Sequence, residues 1–205
     1  MARLQSKDYD SIKLTILDSA ADLFAEKSYS NTSITEISEA SGLSKSGIYH
    51  YFKSKRDILY TLLSEHIKAL FDKMGVALNS SKDPVEQFYT LSFLLMQTYS
   101  KSKSRHAVLM RDLDSLSEEE RRKIVALERQ VVNFVENLIG KIKPELYLTD
   151  KVQRPIAMLF FGMVNWTYTW YEANKSVDPD QLAKMASSIF VNGLLATDFT
   201  ALLKA

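Results

Sequence analysis

A chain of 205 residues, 46% of them hydrophobic, is long enough for a substantial core, as one domain or as a small domain joined to a larger one. Its formal net charge of +1 gives no whole-chain sign of a nucleic-acid partner, and the lack of cysteine excludes disulfides, zinc–thiolate sites and cysteine nucleophiles. Only 6 Gly and 4 Pro occur, and the Leu, Ala, Lys, Glu and Ser content suits helices rather than an all-β fold.

Apolar residues at helical spacing begin near Ile12: Ile16, Ala20, Leu23 and Phe24 continue its stripe, with Asp18, Asp22 and Glu26 opposite. This predicts a first helix over about 9–28. Ser33 and Glu36 have the spacing of a capping box, so a short second helix follows with Ile34, Ile37 and Ala40 as its apolar face. Gly42 ends it, where a left-handed residue costs least. Ser44 caps a very short third helix reaching about Tyr51, and Ser54 with Asp57 repeats the capping spacing for a fourth over about 55–74. Asp83-Pro84 opens a fifth helix carrying Phe88, Leu91, Leu95 and Tyr99. A sixth covers about 105–115, and Ser117 with Glu120 caps a seventh that runs to about 142. Thr149 or Asp150 opens an aromatic-rich eighth to about 173, kinked near Pro155, and Asp178-Pro179 opens a ninth to about 203. The expected fold is all-α with about nine helices: a three-helix N-terminal unit containing a helix-turn-helix, and a larger C-terminal helical bundle. The boundary is placed between residues 55 and 56, giving a reading domain 1–55 and a ligand-binding and dimerisation domain 56–205.

The informative stretch is Thr32 to Asp57. Two short helices joined by Ser41-Gly42-Leu43-Ser44 have the turn size of a helix-turn-helix, whose second helix enters the major groove while the first crosses the backbone. From Ser41 to Arg56 there are four basic residues, Lys45, Lys53, Lys55 and Arg56, and no acidic ones. The positive charge is therefore local, placed where phosphates would sit. Ser44, Ser46, Tyr49, His50 and Tyr51 supply hydrogen-bond donors beside it. Gly47 lets the helix backbone approach closely. The free N–H groups at helix starts near Ser33, Ser44 and Ser54 can each hold a phosphate. Ile48 and Phe52 are expected to point inward.

The run Thr32-Ser33-Ile34-Thr35-Glu36-Ile37-Ser38-Glu39-Ala40-Ser41-Gly42-Leu43-Ser44-Lys45-Ser46-Gly47-Ile48-Tyr49-His50-Tyr51-Phe52-Lys53-Ser54-Lys55-Arg56-Asp57-Ile58-Leu59 resembles the DNA-binding signature of the TetR family. Ala20-Ala21-Asp22-Leu23-Phe24 resembles the family's preceding helix. The resemblance implies a homodimer that binds palindromic double-stranded DNA and responds to a small-molecule effector held in its body. By matching position it implies DNA contacts from Thr35, Ser44, Lys45, Tyr49, His50 and Lys55, with Gly47 at the groove. Tyr51 is either a further contact or packs partly inward.

In the body, Phe160-Phe161-Gly162-Met163-Val164-Asn165-Trp166-Thr167-Tyr168-Thr169-Trp170-Tyr171 holds both tryptophans, four apart and so on one helix face. On general grounds such aromatics form core or a dimer seam. The run is also similar to that of TetR-family repressors that sense acyl-coenzyme A. That resemblance implies a fatty or aromatic acyl-CoA effector and control of acyl metabolism. Phe88, Leu91, Leu95, Tyr99, Met110, Phe160, Met163 and Trp166 would line an acyl tunnel, with Asn165 and Trp170 beside it. Arg105, Arg111 and Arg154 would meet the CoA phosphates, or else are ordinary ion-pair residues. The last two helices would form the dimer seam, through Ala157, Phe161 and Val164 on one and Met185, Ile189, Phe190, Gly193, Leu194 and Thr197 on the other.

Three histidines, His50, His66 and His106, stand in no metal or triad spacing, and no glycine-rich phosphate loop occurs, so neither an enzyme nor a cofactor is expected. No apolar run approaches the ~18 residues of a membrane span, and Met1–Asp8 lacks a signal-peptide core. The expected setting is the cytoplasm, with no membrane partner. Two rival readings are a multidrug-type TetR regulator with an aromatic drug pocket, and a helical lipid-binding or adaptor protein that ignores DNA.

Overall fold

The computed structural model describes residues 2–148, 152–172 and 177–202. Among these residues every regular element is helical: α1 (Ala2–Lys27), α2 (Ile34–Ser41), α3 (Lys45–Tyr51), α4 (Lys55–Leu78), α5 (Pro84–Lys101), α6 (Lys103–Asp112), α7 (Glu118–Ile142), α8 (Gln153–Asn165), α9 (Thr167–Trp170), α10 (Pro179–Ala196) and α11 (Phe199–Leu202). Short 3-10 turns follow α6 and α7. The all-α expectation holds, with more helices than the nine expected because the last two are each broken once.

The chain forms two compact units. One draws on residues 1–67 and 102–125, the other on 68–101 and 126–205, so α4 and α7 each contribute to both. In the first unit α1 packs on α2 and on α6, and α2 packs on α3. Of the stripe of α1 read from the sequence, Ile16, Ala20 and Phe24 are buried and Ile12 and Leu23 half-buried, and the adjoining Leu17 and Ala21 are inside too, with Ile37 of α2, Ile48 of α3 and Ile58, Leu59 and Leu62 of α4. Truncating such a side chain to Ala typically costs about 2–5 kcal/mol.

In the second unit α5 packs along α10, and α8 packs on α10. Phe88 of α5, Phe160 of α8 and Phe190 of α10 form a closed aromatic triangle with ring centroids 4.8–5.2 Å apart. Phe88 and Phe190 stack nearly parallel, at 6°. Lys143 is buried, and its ammonium donates to the carbonyls of Leu194, Leu195 and Thr197. A cation on the last carbonyls of α10 satisfies orphan acceptors and opposes the negative end of the helix dipole.

Two expectations need correction, and a third lies outside the described residues. Thr149 and Asp150, expected to open the aromatic helix, lie outside the described residues, and α8 begins at Gln153. Pro155 is then its third residue, within the first turn, where no intrahelical N–H is lost and no kink is forced. The break comes later, at Trp166. There the Thr167 hydroxyl donates to Val164 O at 2.7 Å and the Thr169 hydroxyl to Trp166 O at 2.7 Å, competing with the backbone for the ladder's acceptors. The ninth expected helix likewise stops at Ala196 rather than about 203. Thr197 is extended (φ −79°, ψ 124°), Lys143 holds the terminal carbonyls, and Asp198 accepts from Ala201 N–H as α11 begins.

Candidate nucleic-acid interface and effector pocket

The reading head is built by three caps. Ser33 accepts from Glu36 N–H at 3.2 Å while Glu36 accepts from Ser33 N–H at 2.7 Å, a complete capping box that starts α2. Gly42 ends α2 at φ 69°, and its N–H and that of Leu43 return to carbonyls of the last turn. Ser44 accepts from Gly47 N–H at 3.1 Å and starts α3 only two residues later. Gly42 thus turns the chain sharply enough to bring two helix starts close in sequence.

Helix α3 has two clear faces. Ile48 is buried, as is Phe52 just beyond the helix, and they seat it on the core. Lys45, Ser46, Tyr49 and His50 are exposed, at spacings that set 45 over 49 and 46 over 50. Gly47 is half-buried, and a methyl group there would meet only Ser44 Oγ at 3.4 Å and Leu43 Cβ at 3.7 Å, ordinary van der Waals contact. The fold itself therefore tolerates a methyl group at 47.

The other predicted DNA contacts are placed as follows. Ser33 is exposed at its cap and Thr35 half-buried in the first turn of α2. Ser44 has its hydroxyl shared between the cap and Ser46 Oγ, 2.9 Å away. Tyr51 is half-buried and packs against Tyr9 of α1, with ring centroids 4.6 Å apart, which favours its inward alternative. Lys55 donates to Tyr29 O at 2.7 Å and Thr32 O at 2.6 Å and lies over the Tyr29 ring, so two of its three N–H bonds brace the α1–α2 loop. Burial lowers the Lys55 pKa and raises that of Tyr29. The Lys27 ammonium on Glu36, with the cap at Ser33, holds the Glu36 carboxyl down at about 2, so the cap stays charged.

The predicted effector residues do not form one cluster. Phe88, Leu91, Leu95, Tyr99 and Phe160 are buried together in the second unit, and burial raises the Tyr99 pKa. Asn165 is half-buried at the end of α8, with its Oδ1 buried and unbonded. Met163, Trp166 and Trp170 face outward instead. Met110, Arg105 and Arg111 belong to the first unit. Arg111 donates to the carbonyls of Phe24 and Ala25 and so caps the C-terminus of α1, while Arg105 is paired with Asp18. Arg154 pairs with Glu136 at 2.8 Å.

The outward face of α8 and α9 is apolar. Met158, Leu159, Met163, Trp166 and Trp170 lie on it, Leu159 at 69% and Trp166 at 63% exposure, with Gly162 among them. On α10, Met185 and Ile189 are exposed with Gly193. Ala157, Phe161, Val164 and Leu194, expected in the dimer seam, are instead inside their own unit. For α8 the exposed apolar face is thus the one opposite to the face expected from the sequence. Sequence reasoning also missed a buried pair on α4 and α6: His66 Nε2 lies 3.3 Å from His106 Nδ1. Forty residues apart, the two carry no local signal.

Residues 16–61 match the family model of bacterial regulatory proteins of the tetR family, and residues 81–194 match that of the tetracyclin repressor-like C-terminal domain. The chain belongs to the TetR family of bacterial regulators. The crystal structure of a TetR-family transcriptional regulator from Bordetella parapertussis superposes with a TM-score of 0.86 at 37% identity, covering 91% of this chain and 97% of that one. The HTH-type transcriptional repressor KstR2 of Rhodococcus jostii is 27% identical over 87% of this chain and 89% of its own. The fatty acid metabolism regulator protein of Bacillus subtilis is 24% identical over 88% of this chain and 94% of its own. This is a DNA-binding regulator and not an enzyme. Among the described residues no helix is long and apolar enough to cross a membrane.

Proposed function

We propose that this TetR-family regulator is a homodimeric repressor whose two α3 helices read a palindromic operator, and whose effector is an acyl-CoA. The observation that carries the DNA part is the exposed Lys45–Ser46–Tyr49–His50 face on a helix seated by Ile48 and Phe52. Lys45 positions on phosphate, while Tyr49 and His50 reach base edges or sugar. Tyr49→Ala tests this: operator binding falls away while far-UV circular dichroism stays that of the parent. Unfolding of that variant would instead mark Tyr49 as a structural residue. The apolar face of α8–α10 meets its own copy about a two-fold axis, placing the half-sites about one helical turn of DNA, ~34–36 Å, apart.

The acyl-CoA reading is supported by the similarity to a fatty acid metabolism regulator and by the interior of the second unit. Phe88, Leu91, Leu95 and Phe160 offer an apolar lining that an acyl chain enters by displacing aromatic contacts. Because α4 contributes to both units, ligand that favours one arrangement of α4 changes operator affinity by that preference. Thermal shift with acyl-CoAs of graded chain length, against cationic drugs, tests the effector class. A rise in melting point with drugs alone would replace acyl-CoA with the multidrug reading, and saturating acyl-CoA that left operator affinity unchanged would end this one.

A further inference from the structure

Helix α6 lies outside the helix-turn-helix, yet its polar side chains are spent on the helices that carry it. Ser104 donates to Asp22 of α1 at 2.6 Å, and Asp112 accepts from Tyr29 N–H just beyond α1 at 3.3 Å. Arg111 caps the end of α1. Arg105 sits centrally, with its side chain only 13% exposed. Its Nε and Nη2 both donate to Asp18 Oδ1 of α1, at 3.2 and 2.8 Å, and its Nη1 lies 3.7 Å from Glu65 Oε2 of α4. The other Glu65 oxygen takes Lys13 of α1 at 2.9 Å. Asp18, Arg105, Glu65 and Lys13 form an alternating chain of charge that leaves α1, crosses α6 and α4, and returns to α1. Directly beside it, the next residues along, His106 and His66, meet each other.

We propose that Arg105 is a positioning residue of the reading head, holding α1, α4 and α6 in one register, and with α1 the α2–α3 pair packed on it. It acts on operator affinity without touching DNA. A guanidinium serves this where an ammonium would not, because its planar fork reaches two carboxylates in fixed directions. The inference rests on α3 being the DNA-reading helix. DNA binding by the parent chain tests that premise separately.

The test titrates duplex DNA, selected by the parent chain from a random pool, against the parent, Arg105→Ala, Arg105→Lys, Asp18→Asn and the Asp18→Asn/Arg105→Ala pair. Titrations run at several salt concentrations, at a temperature where circular dichroism shows each protein folded. Arg105→Ala is expected to weaken operator binding by roughly two- to thirty-fold, the range found for residues coupled to a site they do not contact. The slope of log Kd against log salt should not change, since no phosphate contact is lost. The double variant should bind no worse than Arg105→Ala, because both changes break one link, and Arg105→Lys should fall between parent and Ala. Asp18→Asn, on an exposed carboxylate, carries the same test if Arg105→Ala fails to fold. Parent-like affinity in the folded variants overturns the proposal. So does a salt slope shallower by about one, which would make Arg105 a phosphate contact, or a double variant whose losses multiply.

Discussion

Acidification should destabilise this protein through one buried histidine pair, by an amount that can be worked out. His66 is 2% exposed, and burial, then His106, then the Arg105 guanidinium beside the pair, lower its pKa to about 3. Unfolded, a histidine titrates near ~6.5. Below about pH 6.5 the unfolded chain therefore binds a proton at this position that the folded chain refuses until the pH approaches 3. Stability is complete above the unfolded value and falls as the pH falls through that window. Between pH 7 and pH 5 the loss is about 2 kcal/mol for this one group, or about 1 M in urea midpoint at a typical m-value of ~2 kcal/mol/M. The perturbation is the double variant His66→Leu/His106→Leu, which removes both imidazoles of the pair together. Urea unfolding of parent and variant, at one protein concentration and at pH 7, 6 and 5, is followed by far-UV circular dichroism. The parent's midpoint should fall by about 1 M more than the variant's. Equal losses in the two proteins would show that the buried pair is not the source of the acid sensitivity.

Other expectations concern single positions. Gly47→Ala should melt at or above the parent's temperature, since the added methyl finds only ordinary contacts and alanine favours the helix by roughly 0.5–1 kcal/mol, yet bind operator DNA more weakly because the methyl holds the helix backbone away from the groove. Ser28 ends α1 at φ 73°, a left-handed conformation that suits glycine. Ser28→Gly should raise stability by about 0.5–1 kcal/mol in urea unfolding, because the relieved strain exceeds the loss of two exposed hydroxyl contacts, with Ser30 and Asn31; a loss of stability would refute it. Leu159→Asp places a charge on the exposed apolar face of α8, in both copies of the proposed two-fold dimer. Each copy then loses about 2 kcal/mol of leucine burial, so analytical ultracentrifugation should find folded monomer. An unshifted dimer would move the interface elsewhere.

The reading head was legible because its signals are local. Ser33 with Glu36, Gly42 and Ser44 each settle their own turn through hydrogen bonds spanning three residues or a single dihedral, and the structure realises all of them. The stripe of α1 was equally legible, because one of its faces is charged. Helix α8 was not: Ile156, Ala157, Met158, Leu159, Phe160, Phe161, Met163 and Val164 surround it with apolar residues, so periodicity cannot say which side a single chain covers. Its break at Trp166 depends on threonine hydroxyls choosing backbone acceptors, which composition does not announce. The arginines were ambiguous for a different reason. Arg105 and Arg111 find their partners 87 and 86 residues away, on α1, and nothing near them in sequence marks one for a phosphate and another for a helix end.

The exposed face of α8 and α9 also holds both of the chain's tryptophans, Trp166 at 63% and Trp170 at 54% exposure, while the reading head holds none. Indole emission shifts to shorter wavelength when water is removed from the ring. The protein thus carries a built-in optical probe confined to one surface. Dissociation of the proposed dimer on dilution can be followed in unlabelled protein, and titration with DNA in the same cuvette, excited beyond tyrosine absorption, leaves the signal free of any tryptophan at the groove.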